Sequence, residues 1–277
     1  MSNNELRAII SLLDDPDEKI FGEIRGKLIS FGDDIIPDLE SAWENSFDHL
    51  LQNRIENIIH FLQFDTVKKE LANWKDSDRD LIEGAIIVSK YQYPDIEVEE
   101  IKDFIKKITQ DVWLELNDNL TALEKVKIIN RVVFDSYGFY GNTKNINSPK
   151  NSYINNVIER KKGNPITLGI IYLAICDNLN VPMYGVDIPA HFILSYAETP
   201  KDVLFYLNVF NKGAVFGAYD IDKFLEQLKE APKEEHYAPC TNLTIIKRLV
   251  QHLIYTYDNL GYVEKKEELD ELYALLK

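Results

Sequence analysis

Apolar residues recur three and four positions apart through residues 1–75, which predicts an all-helical start. Leu6, Ile9, Ile10 and Leu13 form one stripe, and Ile20, Phe21, Ile24, Leu28 and Phe31 form the next. Between them, Asp15, Pro16 and Glu18 supply a cap, a proline for the first helical position and a carboxylate three residues after the cap. Gly32 suits the helix end. Asp33 and Asp34 ahead of Pro37 start another helix through Leu39 and Trp43. Leu50, Leu51, Ile55, Ile58, Ile59 and Leu62 continue the pattern, and Val67, Leu71 and Trp74 read as a further short helix.

The polar run from Lys75 to Asp80 is the best domain boundary. Helical patterns follow at 81–91, 97–116 and 122–134, then an aromatic turn at Tyr137–Asn142 and an Asn-, Pro- and Ser-containing loop at 143–151. A short helix is expected at 153–160. Strand patterns are concentrated at 181–188, 191–196 and 203–210, with a further short one at 215–218. A helix at 221–228 and a hairpin of helices at 243–260 and 265–276 complete the chain. The expected fold is α+β and helix-rich, with one small antiparallel sheet. Three regions are expected: a helical region at 1–75, a mixed domain at 76–230 and a C-terminal helical hairpin at 231–277.

Composition narrows the function classes. No apolar run approaches the ~20 residues of a membrane span. The start Met1-Ser-Asn-Asn-Glu-Leu6 has no basic region followed by an apolar core, as a secretory leader would. Two cysteines, Cys176 and Cys240, give neither a disulfide framework nor a metal-ligand spacing. A cytoplasmic protein is expected. Its 46 acidic and 31 basic residues give a formal charge of −15. That balance repels phosphate backbones, so neither nucleic acid nor an anionic membrane is expected as a partner, and a protein partner is. No cofactor or metal motif is present.

The chemistry-bearing stretch runs from Arg160 to Tyr172. Gly163 gives a permissive turn, Asn164 is a good N-cap, and Pro165 has the backbone angle of a first helical position. The helix beyond, through Ile166, Ile170 and Leu173, is apolar enough to be buried. Its start offers amide donors and the positive end of the helix dipole, so a cysteine there would be activated, and a small anion or peptide carboxylate could bind there. No cysteine is there. Cys176 lies nine residues beyond Thr167, ~13 Å along the axis and on the opposite face. Thr167 is the one hydroxyl of the first turn. It could act as a nucleophile or simply bond nearby backbone. His191, after Pro189 and Ala190 at a strand start, is a general base, its relic, or a tether between helix and sheet. Asn208, in the following strand, could orient it. Tyr206, Asn208 and Phe210 should share a face. Tyr172, with Tyr140, Tyr153 and Tyr184, is a candidate lining residue, and Asn164, Pro165 and Tyr172 are the candidate binding residues.

In order, Ile129–Asp135, Gly138–Asn142, Asn151–Arg160, Gly163–Leu168, Pro189–Ile193 and Asn208–Gly213 resemble the SirB-type branch of the transglutaminase-like superfamily over residues 78–230. The N-terminal helices resemble HEAT repeats, and the C-terminal hairpin resembles a tetratricopeptide unit. The resemblance implies a papain-like core in which active members use a Cys, His, Asp triad. It aligns His191 with the histidine and Asn208 with the aspartate, and it places Thr167 in the block standing where active members carry cysteine. The branch commonly shows Pro-Gly-His where this chain has Pro189-Ala190-His191. The expected function is a non-catalytic interaction or regulatory module. The alternative is a hydrolase or acyltransferase in which His191 activates a non-cysteine nucleophile or a water.

Overall fold

The computed structural model describes residues 3–77, 79–199 and 202–277. Met1 and Ser2 of the segment read for a leader, and Asp78 of the polar break, lie outside the described residues. The chain divides into two compact units, 1–70 and 71–277. The second takes in both the mixed α/β region and the C-terminal helices.

The first unit holds α1 (Asn3–Ser11), α2 (Glu18–Ile29) and α3 (Ile36–Glu44), and α4 (His49–Lys75) begins in it. The predicted stripes meet: Leu6, Ile10, Leu13, Leu28, Leu39, Ile55 and Ile58 form one buried cluster. Asp17 caps α2 by accepting from the Lys19 amide. Buried Arg54 donates to the Leu13 and Asp15 carbonyls at 2.8 and 2.7 Å and to Glu18 at 2.7 Å, which pins the α1–α2 turn. The separate short helix expected around Val67, Leu71 and Trp74 does not exist as such. It is the continuation of α4, because no glycine or proline interrupts the chain from Asp48 to Lys75.

The second unit is helix-rich α+β. Its helices are α5 (Leu81–Lys90), α6 (Val98–Trp113), α7 (Ala122–Asn130), α8 (Ile154–Arg160), α9 (Pro165–Asn178), α10 (Ala218–Leu228), α11 (Asn242–Leu260) and α12 (Val263–Leu275). The expected helix at 122–134 ends as α7 and widens into a π-helical turn at Arg131–Ser136. Two two-residue strands, β1 (Tyr140–Gly141) and β2 (Lys162–Gly163), pair in parallel where only turns are expected. They bring the chain before the loop alongside the chain before α9. The main sheet is antiparallel in the order β3 (Met183–Ile188), β4 (His191–Thr199), β5 (Asp202–Asn208), β6 (Ala214–Phe216).

α9 is the centre of this unit. Ile166–Leu173, Ile175 and Cys176 are all buried, as its apolar sequence requires. It packs on β3 and β4 on one side and on α5, α6 and α11 on others. Close approach depends on small residues. A Cβ on Gly169 would lie 2.6 Å from Phe192 Cε1, and one on Gly185 would lie 2.8 Å from Phe192 Cζ, so the two glycines make room for one ring between helix and sheet.

The C-terminal hairpin is tied to the core by polar as well as apolar contacts. Tyr257 and Tyr153 share a hydrogen bond between their hydroxyls at 2.9 Å, and Tyr91 donates to Glu268 at 2.7 Å. Lys75 Nζ donates to the Leu275 carbonyl at 2.8 Å. Among the described residues no helix is long and apolar enough to cross a membrane.

Candidate functional site

Three chain segments converge at the start of α9. The first is the capped turn itself. Asn164 Oδ1 accepts from the Thr167 amide at 2.8 Å, and its Nδ2 donates to Ser152 Oγ at 2.9 Å. Asn164 is buried and bonded through both its amide oxygen and its amide nitrogen, so it is fixed in place. Pro165 has no amide proton and the Thr167 amide is consumed by the cap, so the helix start offers few free donors.

The second segment is the β3–β4 hairpin. Ile188 pairs with His191, and the connection is Pro189 and Ala190 alone. Ala190 has φ +57°. Proline followed by a positive φ suits a type II turn, whose third position favours glycine. The turn presents His191, half-buried, at the pocket wall, with Phe224 against it at 5.7 Å between ring centroids. Burial, aided by nearby Arg248, lowers the His191 pKa from 6.5, so the ring is neutral at pH 7. Asn208 ends β5 beside it. The Asn208 Oδ1 accepts from the Asn211 amide at 3.2 Å, which turns Nδ2 toward His191 Nε2 at 3.5 Å. The ring nitrogen facing Asn208 can then accept from that amide, in the tautomer that carries the proton on Nδ1.

The third segment is α11, which sequence reasoning leaves out of the site. Arg248 and His252, one turn apart, project from its core-facing side among buried Ile245, Leu249 and Leu253. Arg248 lies 3.4 Å from Asp187 Oδ1 and donates to the Ile188 carbonyl at 3.4 Å. His252 Nε2 is buried and makes no hydrogen bond among the described residues. Burial, reinforced by Arg248, depresses the His252 pKa to about 4. The signal for this pair is present in the sequence as two polar residues four apart on an apolar stripe.

These segments enclose a pocket of about 190 Å³ lined by Asn164, Pro165, His191, Phe210, Arg248 and His252 among others. Phe210 reaches it from a 3-10 turn, Val209–Asn211, that follows β5. The strand alternation expected to carry Tyr206, Asn208 and Phe210 therefore stops at Asn208, whose side chain caps that turn. The structure brings Asn164, Pro165 and His191 to the pocket, with Asn208 beside His191 and outside the lining. It does not bring Thr167 or Tyr172 there. Thr167 is fully buried on α9 and its hydroxyl has no partner among the described residues. Tyr172 is fully buried, donates to Asn130 Oδ1 at 3.0 Å and stacks on Phe134. Cys176 is in the core and burial pushes its thiol up. Cys240 lies outside the pocket lining, and burial with the neighbouring Asp187 pushes its thiol up to about 12. Among the described residues no group of three His, Cys, Asp or Glu side chains could hold a metal ion.

A cap and proline at the start of a buried helix, a histidine at the head of the adjoining sheet and an amide beside it make one arrangement. The family model of the Transglutaminase-like superfamily matches residues 99–251, which contain that whole arrangement. The chain belongs to the transglutaminase-like superfamily. This superfamily member is similar to a UPF0162 protein of Xylella fastidiosa (strain Temecula1), 27% identical over 198 residues that cover 68% of this chain and 69% of the relative. It is similar to a UPF0162 protein of Vibrio cholerae, 27% identical over 184 residues covering 64% and 67%. It also resembles human F-box only protein 21, 24% identical over 230 residues, which are 73% of this chain and 35% of that longer protein. No solved structure matches the chain. The family match includes Arg248 and stops one residue before His252.

Proposed function

We propose that this transglutaminase-like protein is non-catalytic, and that it binds at the α9 pocket as an interaction or regulatory module. The observation that carries this reading is that the described residues lining the pocket include no thiol or hydroxyl nucleophile. Asn164 and Pro165 occupy the helix start, and the two hydroxyls nearest to it, Thr167 and Ser152, are buried outside the pocket lining, Ser152 accepting from Asn164. In the tautomer that accepts from the Asn208 amide at Nε2 and carries its proton at Nδ1, His191 has no free lone pair with which to take a nucleophile's proton. Both thiols are held protonated by burial.

The same reading includes finer proposals. The chain belongs to the SirB-type branch, works in the cytoplasm and acts on a protein partner rather than on nucleic acid. Residues 1–75 act as a HEAT-like region, 76–230 as the core domain, and 231–277 as a tetratricopeptide-like hairpin. The strongly acidic charge supports the choice of partner.

The test is a panel of amidase, protease and transglutaminase assays on wild type and His191→Ala, with circular dichroism to confirm folding. No turnover is expected from either protein. Turnover that disappears in a folded His191→Ala protein would overturn the proposal. It would favour the alternative, a hydrolase or acyltransferase in which His191 activates a water. One observation supports that alternative: Asn208 stands within 3.5 Å of the ring, where an orienting group would be needed.

A further inference from the structure

The α9 pocket has two kinds of wall. One is polar and comes from three elements: Arg248 and His252 from α11, His191 from the head of β4, and Asn164 at the cap of α9. The other is apolar: Ile146, Pro165, Ile166, Ala190, Phe192 and Phe210. A guanidinium and two imidazoles gathered over an apolar floor are costly to leave in a half-dry cavity without a partner of opposite character. His252 shows that cost, since its buried Nε2 has no partner among the described residues. Helix α9 does not supply the missing partner. Its first residue has no amide proton, and its third amide is capped by Asn164. Of its first three amides only that of Ile166 is left, so most of the binding groups at this site are side chains.

We infer that this pocket binds an apolar monocarboxylate, its carboxylate held by Arg248 and the imidazoles of His191 and His252, with a short tail lying on Pro165, Phe192 and Phe210.

The charge balance selects the headgroup. Burial keeps both imidazoles neutral at pH 7, so Arg248 is the pocket's cation. Asp187, 3.4 Å from its guanidinium, already offsets part of that charge. A phosphate dianion would bring more negative charge than this site can balance, in a chain whose net charge is already −15. A single carboxylate matches the planar fork of one arginine. The size selects the tail. A volume of about 190 Å³ equals roughly six waters at ~30 Å³ each, room for a branched acid of about five carbons or for the last residue of a polypeptide. Such a carboxylate could come from a free short-chain acid or from a polypeptide C-terminus ending in an aliphatic residue, and the chemistry at the pocket is the same.

This inference rests on the binding reading of the site and names its ligand class. It is tested by calorimetry on the full chain with five probes. These are isovalerate, isovaleramide, an acetyl-Gly-Gly-Val peptide with a free carboxylate, the same peptide amidated, and inorganic phosphate. Both acids should bind saturably and both amides should bind at least tenfold more weakly. Arg248→Met should lose at least tenfold in affinity for the acids, while Arg248→Lys should retain part of it. A tighter free-acid peptide assigns the source to a polypeptide end, and a tighter isovalerate assigns it to a free acid. Because the acid-to-amide comparison is made on the wild type, the test stands even where an Arg248 variant fails to fold. Absence of binding by either acid, equal binding of acids and amides, or tighter binding of phosphate would overturn the inference. Turnover is scored in separate assays. Failed binding without turnover sinks the ligand assignment and leaves the non-catalytic reading intact, whereas His191-dependent turnover sinks that reading.

Discussion

Ala190 is a single residue with a measurable conformational burden. It holds φ +57° in the two-residue turn that places His191, and a left-handed conformation costs a non-glycine residue roughly 1–2 kcal/mol. Ala190→Gly should remove that strain, while the extra freedom of glycine in the unfolded chain returns about 0.4–1 kcal/mol. A net stabilisation of about 0.5–1 kcal/mol is expected in urea unfolding, and a net loss would mean that the turn is unstrained. His252 carries a pH signature. Its folded pKa of about 4 lies below the unfolded 6.5. Between those values the unfolded chain binds a proton that the folded chain refuses, so stability falls as the pH drops from 6.5 toward 4 and levels off below. At ~1.4 kcal/mol per pH unit the loss approaches about 3 kcal/mol. Urea unfolding at a series of pH values should show this slope in the wild type and a shallower one in His252→Gln; parallel slopes would exclude His252 as its source. Asn208→Asp would place a carboxylate beside His191. Its imidazole should then titrate at higher pH than in the wild type, read by proton NMR of the ring, and an unmoved titration would mean that the 3.5 Å contact is not kept in solution.

At the scale of elements, the join between α9 and the sheet rests on Gly169. A methyl group there meets the Phe192 ring at 2.6 Å, and the ring is wedged between helix and strand. Gly169→Ala gains helix propensity of about 1 kcal/mol, yet overpacking a closed core costs typically 1–3 kcal/mol. The expected net effect is destabilisation, by up to about 2 kcal/mol in chemical denaturation. A stabilised variant would show that the ring can move aside. Most elements of the second unit were readable because each carries its own punctuation. Asn164 and Pro165 mark the start of α9, Asp80 caps α5, and Gly261 ends α11 in a left-handed turn. Local marks are silent where tertiary packing or the lack of a breaker decides the structure. The run through Val67 and Trp74 has no breaker and simply extends α4. Strands β1 and β2 are two residues long, too short for any periodicity, and exist because tertiary packing brings them together. The pocket was half legible. His191 and the α9 cap announce themselves by local motif, whereas Arg248 and His252 look like polar breaks in a hairpin until the fold lays α11 beside β3 and α9.

At the scale of the whole molecule, an excess of fifteen negative charges acts on every folded contact at once. Self-repulsion of this size opposes the compact state. Raising sodium chloride from about 10 mM to about 150 mM shortens the Debye length from about 30 Å to about 8 Å. The melting temperature should rise with it, and an unchanged melting temperature would mean that the charge is too dispersed to matter. The pocket adds a property of a different kind. Arg248 and His252 belong to the C-terminal hairpin and His191 to the head of the sheet, so anything that grips both sides acts as a latch across two parts of the chain. Linkage makes the latch work in both directions: occupancy slows the undocking of the hairpin, and a loosened hairpin sheds its occupant. Amide hydrogen exchange in α11 and α12 would register this as slower exchange at saturating ligand. The C-terminal helices would then report, through their mobility, whether the pocket at the start of α9 is full.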